Sequence, residues 1–545
     1  MTPDPTASVD SRADTFDYVI VGGGSAGCAL AGRLSEDGRT SVCLLEAGGT
    51  DRSALIRAPM GFATIATLGV HNWRYQTVPQ PGLDGRRGYQ PRGRVLGGSS
   101  SVNAMVYTRG QPQDYDGWRD LGNPGWGFDD VLPYFKAGEH SECFGPTPYH
   151  GMGGPLNVCF LRSPSAINRA FVSACVEQGL PYNPDYNGAS QLGCSPAQVT
   201  QKNGERWNAA RAYLPEPGRR PLLDVRLQAT TQRLLLEGRR AVGVEYRQGG
   251  RLQQVRARRE VLVCAGAFGS PQLLMLSGIG PGAHLQSLGI PVALDLPGVG
   301  SNLQDHITTV LIHRTAQAAD TFGLSWRGAL AIWRGIREWR EQRSGIVTSN
   351  VAETQGFLST EPATGRPDIQ LAFCTGIVDD HTRKPHRGHG YTLHVTLMRP
   401  NSRGTVRLAS ARPQDAPLID PAFLSDQDDL RRLAAGSRMG YDILHSPALD
   451  RYRGELLYPF PRDDEAGVHA FLRRHSDTEY HPCGSCQMGP HPAEGAVVDA
   501  RLRVHGMEGL RVADASVMPR IVSGNTNAPT LMIAEKAAAL MRAAA

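Results

Sequence analysis

Several stretches of the chain carry hydrophobic patterns regular enough to predict elements. Residues 16–21 (FDYVIV) form a short β-branched run that reads as a strand. It passes directly into Gly22-Gly23-Gly24-Ser25-Ala26-Gly27 and then into CALAGRLSE, an Ala/Leu-rich stretch at helical spacing. A second strand, SVCLLE, ends at Glu46. Further on, VLVCAGA leads into a helix expected to begin with Pro271 after an N-capping Ser270 and to stop at Gly278. GLRVAD predicts another strand just before Ala515, and a long helical segment is expected around 426–446. The runs DIQLAFC, YTLHVTL and GTVRLAS read as strands of a second, antiparallel sheet.

The first turn has its own chemistry. Gly22 allows the tight bend, Gly24 lets backbone approach a pyrophosphate, and Gly27 lets the helix pack closely on the strand. The helix N-terminus then faces the phosphates. Glu46 stands about 20 residues further on, where an acid accepts a ribose hydroxyl. Dinucleotide binding is the reading, without separating NAD from FAD. The stretch Gly93-Arg94-Val95-Leu96-Gly97-Gly98-Ser99-Ser100-Ser101-Val102-Asn103 has paired glycines and hydroxyls but no strand or helix period, and suits wrapping around a phosphate or ring system.

Composition narrows the class. With 545 residues the length prior allows three or four domains, or fewer and larger units built from interleaved segments. No apolar run approaches the roughly 18–20 residues of a spanning helix. The polar, acidic start of the chain is unlike a signal peptide, so a cytoplasmic protein with reduced cysteines is expected. Lysine occurs only at 136, 202, 384 and 536, leaving the basic residues almost entirely to scattered arginine. No block resembles a nucleic-acid arm, and no nucleic-acid partner is expected.

Together with His481-Pro482-Cys483-Gly484, Asp514-Ala515-Ser516 and Gly524-Asn525-Thr526-Asn527-Ala528-Pro529-Thr530, these stretches resemble the glucose-methanol-choline oxidoreductases from Asp17 to about Met541. Within that family VTSNVAETQGFL, RGHGYTLHV and PLIDPAFLSDQDDL are most similar to bacterial alcohol dehydrogenases, with choline dehydrogenases also similar. The resemblance implies an α/β chain, α+β overall, with a Rossmann-like FAD-binding domain interleaved with a substrate domain on an antiparallel sheet. The FAD domain is expected over 15–154, 221–310 and 478–545, and the substrate domain over 155–220 and 311–477. The implied flavin contacts are Gly22, Gly24, Ser25, Ala26, Gly27, Glu46, Arg94, Gly97, Gly98, Ser99, Asn103, Ala104, Thr231, Ala265, Asp514, Ala515 and Asn527.

Oxidising an alcohol carbon needs a base, a hydrogen-bonding partner for the oxygen and an electron sink. His481 suits the base, since imidazole titrates near neutrality and Pro482 and Gly484 favour an irregular loop. Asn525 suits the partner, because an amide orients an alcohol without competing for its proton. On the residues alone a satisfied buried histidine fits His481 better; the resemblance makes His481 and Asn525 the catalytic pair, with hydride passing to flavin N5. The implied substrate is a primary aliphatic or arylalkyl alcohol, and the implied acceptor a quinone. The rivals are choline dehydrogenase, an oxygen-using oxidase, and a non-oxidative lyase or decarboxylase on the same scaffold.

Other positions modify this picture. Val102 stands where some relatives carry a histidine joined covalently to FAD, so non-covalent FAD is expected. Ala104 replaces a serine of choline-specific relatives. Glu353 occupies the family's substrate-domain carboxylate position, and Glu479 is a second candidate substrate contact, read here as turned to solvent rather than into the flavin pocket, where it would raise the His481 pKa. The CxxC at Cys483-Gly484-Ser485-Cys486 lacks a second ligand pair, and Asp379, Asp380, His381, His386 and His389 are interleaved with Gly, Arg and Lys. No metal is expected, and 379–389 reads as a mobile loop near the active-site mouth. Trp326, Leu330, Trp333 and Ile336, with Arg327, Arg334, Arg337 and Arg340, predict an amphipathic helix. A buried helix with a solvated arginine face is favoured over contact with an anionic membrane surface.

Overall fold

The structure, a computed structural model, describes residues 14–543. Strand β1 (Asp14–Val21), helix α1 (Ser25–Leu34) and strand β2 (Val42–Leu45) form the expected opening unit. β1 and β2 pair in parallel at the centre of a sheet continued on one side by Leu223–Arg226 and on the other by Arg251–Val263 and Leu510–Val512. The last residues of β1 and all of β2 are buried, as strands covered on both faces require. Arg251–Val263 also serves a second arrangement. Its first half pairs antiparallel with Arg240–Gln248, which pairs with Thr230–Glu237.

α1 packs against the C-terminal helix Asn527–Arg542, tied by Ser25 Oγ donating to Asn527 Oδ1 (2.7 Å) and by the ion pair of Arg33 with the buried Glu535 (2.8 Å). The helix after Val263 differs from expectation. It runs from Gly266 to Leu276, five residues earlier than an N-cap at Ser270 predicts, and Pro271 lies inside it. The Asp514 carboxylate accepts from Gly266 N (2.8 Å) and Ser270 Oγ (2.5 Å), holding that extra turn. Pro271 has no N–H for the Ala267 carbonyl, and the Ser485 hydroxyl donates to that carbonyl instead (2.5 Å).

A second sheet is antiparallel throughout. Its order is Asp477–Thr478, Ile307–Thr315, Gly388–Leu397, Ile369–Cys374, Ala352–Leu358, Gly193–Pro196. Ile369, Leu371 and Phe373 point to a core shared with helices Ile167–Glu177 and Gln427–Leu444, where Phe171 stacks on Phe373 at 4.2 Å. By strand alternation Gln370 and Ala372 face the other way, into the cavity described below. The segment 155–220 feeds both cores: Leu156, Ala209 and Tyr213 pack with the first sheet, Ile167, Phe171 and Cys194 with the second.

The amphipathic helix, Trp326–Gln342, forms as predicted but is turned differently. Gly328, Gly335 and Trp339 are buried, while Trp326 and Trp333 are 73% and 65% exposed. The two glycines allow close seating, and the bulky apolar side chains other than Trp339 stand at the surface. No described helix is long and apolar enough to cross a membrane.

Candidate active site

The glycines of the first turn do separate jobs. Gly22 has φ +101°, and a Cβ there would lie 2.5 Å from the Cys264 carbonyl oxygen. A Cβ on Gly27 would lie 1.9 Å from the Gly22 oxygen, so strand and helix touch only because it is absent. Gly24 has an ordinary φ of −77°, and no protein atom comes closer than 4.0 Å to its would-be Cβ. The packing of the described residues leaves room for a side chain at 24. Gly98 closes on this turn, its would-be Cβ 2.6 Å from Gly24 Cα. α1 begins with neither a side-chain cap nor an acid in its first turn, leaving its N–H groups available to an anion.

That space is a cavity of about 610 Å3 between the two sheets. All the positions expected around the flavin line it except Gly27 and Gly97, which shape the turns behind. Glu46 accepts from Gly23 N (2.9 Å) and Gly48 N (2.7 Å), and burial pushes its carboxyl up to about 7. Arg94 lies over the Trp73 ring at 4.6 Å. The Thr231 hydroxyl oxygen is buried on this wall with no hydrogen-bond partner among the described residues, and so is Gln370 Oε1. Asn103 Oδ1 is held by Arg206 (2.8 Å), and the third Asp514 contact is from Ser516 N (2.8 Å).

At the second sheet the cavity meets His481 and Asn525, with Asn525 Nδ2 3.0 Å from His481 Nε2. The surrounding hydrogen bonds decide which atoms carry protons. His306 Nε2 faces the Met398 carbonyl (2.8 Å) and must donate to it, so His306 Nδ1 is an acceptor. His481 Nδ1, 2.9 Å from it, must then carry the proton, which leaves a lone pair on Nε2. Asn525 Oδ1 accepts from Gln370 Nε2 (3.1 Å) and Thr108 Oγ1 (3.3 Å), which turns its NH2 toward that lone pair. Burial, then His306, then Arg92 hold the His481 pKa well below the ordinary histidine value. Its ring is therefore neutral at pH 7. Asp305 anchors the loop, accepting from His481 N (2.8 Å) and Thr478 Oγ1 (2.6 Å).

The two candidate substrate carboxylates are placed differently from each other. Glu479 is not turned to solvent: it lines the cavity, and its Oε2 lies 3.2 Å from His394 Nδ1. Burial works against charge on His394, but the Glu479 carboxylate outweighs it and holds the pKa well above the usual value. The histidine whose charge the carboxylate favours is thus His394, not His481. Glu353 is buried but does not line the cavity. A register shift between Ala352 and Thr354 turns it toward Ser165 N (2.7 Å), Asn168 Nδ2 (2.5 Å) and the Ser349 hydroxyl.

Sequence reasoning missed His306, Arg92, Gln355 and Gln370. Arg92 lines the cavity and donates to the Tyr480 carbonyl (2.7 Å), and burial brings its pKa down to about 10. Gln355 accepts from Gln370 (2.9 Å). The two-residue alternation of IQLAFC was a usable signal for Gln370; nothing local marks His306. The 379–389 histidines take separate partners: His386 pairs with Asp379 (2.7 Å), His381 with Asp477 (3.2 Å) and the Tyr480 hydroxyl, and His389 with Ser325 (2.7 Å). Val378, His381 and Thr382 line the cavity, so this loop forms part of its wall. Cys483 and Cys486 are buried free thiols.

A glycine turn at the carboxyl ends of parallel strands, an uncapped helix start, and a histidine–amide pair across the cavity define a dinucleotide-dependent oxidoreductase. Family models described as GMC oxidoreductase match residues 16–308 and 400–534. The chain belongs to the GMC oxidoreductase family. It is 44% identical to an alcohol dehydrogenase [acceptor] of Pseudomonas putida, covering 96% of this chain and 95% of that one. It is 42% identical to an oxygen-dependent choline dehydrogenase of Sinorhizobium fredii, over 96% and 94% of the two chains. Among solved structures it is similar to pyridoxine 4-oxidase from Mesorbium loti, with a TM-score of 0.87, 33% identity and coverage of 97% and 99%. A formate oxidase variant of Aspergillus oryzae, solved in a study of FAD modification, matches with a TM-score of 0.90 at 26% identity, over 98% and 99%. GMC oxidoreductases bind FAD, and the residues here fit it: Gly24 leaves room that no described residue fills, and the buried Thr231 hydroxyl has no partner among the described residues.

Proposed function

We propose that this protein oxidises primary, uncharged alcohols, aliphatic or arylalkyl, to aldehydes with non-covalent FAD, and passes the electrons to a quinone-type acceptor. The observation that carries the reading is the His481 lone pair, fixed by His306 and set beside the Asn525 amide at the cavity wall. In this mechanism an alcohol hydroxyl donates to His481 Nε2 while Asn525 Nδ2 donates to the alcohol oxygen. As the proton moves to Nε2, the growing imidazolium charge is shared through Nδ1–H with His306 and so with the Met398 carbonyl. FAD, when bound, would supply the electron sink for the hydride that leaves the alcohol carbon. On this reading the first sheet and its flanking glycine loops hold the cofactor, and the second sheet closes over the substrate. Gly22, Gly24, Ser25, Ala26, Glu46, Gly98, Thr231 and Asp514 belong to the cofactor's wall.

Two features favour uncharged alcohols over choline. Glu353 is spent on Ser165, Asn168 and Ser349, and Glu479 already has a cationic partner in His394. Neither is a free counter-ion for a quaternary ammonium. Val102 lines the cavity with a side chain that has no atom to bond to flavin, which supports the non-covalent reading. The working place is the cytoplasm, against the inner face of a membrane that holds the quinone.

The test is anaerobic mixing of the purified yellow protein with ethanol to dodecanol, benzyl alcohol and choline, following the visible flavin absorbance. Bleaching by long-chain or aromatic alcohols, turnover with a soluble quinone and little peroxide in air are expected. Bleaching by choline alone, or by no alcohol, refutes the reading; abundant peroxide refutes the acceptor assignment.

A further inference from the structure

The helix Trp326–Gln342 presents to solvent what an ordinary surface helix hides. Its inward side is Gly328, Gly335 and Trp339: a Cβ on Gly335 would lie 2.1 Å from Ile346, and Trp339 Nε1 donates to the Gly204 carbonyl (2.7 Å). Ser325 caps its start, accepting from Gly328 N (3.0 Å). The helix is firmly seated, so its outward side chains are fixed rather than waiting to fold in. Outward stand Trp326, Leu330, Ile332, Trp333 and Ile336, with Leu324 (59% exposed) just before them.

The charge around this face is cationic. Arg337 pairs with Glu341 (2.9 Å), and Glu338 accepts from Ser344 Oγ (2.8 Å). Arg334 and Arg340 have no ion pair among the described residues, and Arg327 lies over the Trp326 ring at 5.3 Å. Tryptophans among arginines match the boundary of an anionic bilayer, where indoles sit at headgroup depth and guanidiniums meet phosphate. A second copy of this chain is a poorer match, because a two-fold contact through this face sets arginine against arginine.

We infer that Trp326–Gln342 is a docking face for an anionic membrane surface, entered by Trp326, Leu330 and Trp333 and held by Arg327, Arg334 and Arg340. The face is connected to the cavity wall. Phe322, four residues before the helix, packs with Phe62 and Val378 around Val351, and Phe62 and Val378 line the cavity. Seating the helix at the headgroups holds that apolar wall near the bilayer, where long-chain alcohols and quinones dissolve. This last consequence rests on the alcohol-to-quinone reading; the docking face does not.

The experiment is flotation of the full-length holoprotein with vesicles of phosphatidylglycerol and phosphatidylethanolamine, against vesicles of phosphatidylcholine alone. The protein is expected to float with the first and not the second, and to be released by about 0.5 M salt, which shortens the reach of its charges to a few ångströms. The double variant W326S/W333S, altered only at exposed side chains, is expected to bind about tenfold more weakly or less. Its flavin absorbance and its turnover with a soluble dye acceptor should not change. Failure of the native protein to float, equal flotation of the double variant, or a native dimer that the double variant converts to monomer overturns the inference. Loss of dye-linked alcohol turnover in the native protein counts against the proposed reaction alone, so the two failures are distinguishable.

Discussion

The sharpest test of the site is His306, which has no direct contact with a substrate and acts only by fixing where the His481 proton sits. In His306→Ala the acceptor for His481 Nδ1–H disappears. The ring then either leaves a buried donor unsatisfied, at about 1–3 kcal/mol, or moves its proton to Nε2, where it cannot serve as a base. At 1.4 kcal/mol per decade, the competent fraction and with it kcat/KM should fall by about 5- to 150-fold. His306→Asn offers a carbonyl oxygen near the position of the lost Nδ1 and should recover most of the activity. His306→Gln, whose amide reaches the Nε2 position instead, should recover little.

The pH profile adds a second readout. Burial holds the His481 pKa well below the ordinary value and brings His306 down to about 4. The proposed base is thus deprotonated through the neutral range, and kcat/KM of the native protein should stay flat from pH 8 to below about 6.5, the unperturbed histidine value. In His306→Ala, water entering the vacated space relieves the desolvation, and the acid limb should move up toward pH 6.5. Anaerobic rapid mixing, read as flavin bleaching against pH, measures both effects in protein whose flavin content has been checked. Equal activity of the Asn and Gln variants, or an Ala variant within twofold of native at every pH, would refute the tautomer argument.

The remaining predictions concern the cofactor wall and the buried ion pair. Gly24→Ala should fold with a thermal midpoint close to native apoprotein yet bind FAD weakly, whereas Gly27→Ala should destabilise the apoprotein itself, because its Cβ meets backbone oxygen at 1.9 Å. Calorimetry of both apo forms with flavin titration checks this; matching behaviour of the two variants would show the glycines are not doing separate jobs. Acid precipitation should leave all the flavin in the supernatant, and yellow colour in the pellet would contradict non-covalent binding. Glu479→Gln and His394→Gln should each lower the thermal midpoint by an amount equivalent to about 3–5 kcal/mol, while the double variant loses clearly less than the sum, since only the single changes strand a buried charge. Strict additivity would mean the pair is not coupled.

The local parts of this protein were legible in its sequence because their causes are local. A β-branched run, three glycines at fixed spacing and an Ala/Leu helix admit few arrangements, and the acid at Glu46 follows from the length of one helix and one strand. The family motifs likewise placed His481 and Asn525 on loops before their geometry was known. Tertiary structure decided what depends on distant partners. His306 is 175 residues from His481, and no spacing rule connects them until the second sheet sets the strand beginning at Ile307 beside Asp477–Thr478. Glu479 turns inward because His394, on the next-but-one strand of that sheet, holds a charge there; Glu353 turns away because one irregular step in strand pairing reverses its face. The helix at 266 starts early because Asp514, 248 residues on, caps its first turn. The amphipathic helix shows the limit most plainly. Its period was visible in the sequence, but which side faces the protein was settled by where two glycines and Trp339 fit, and that is a property of the surface it packs against.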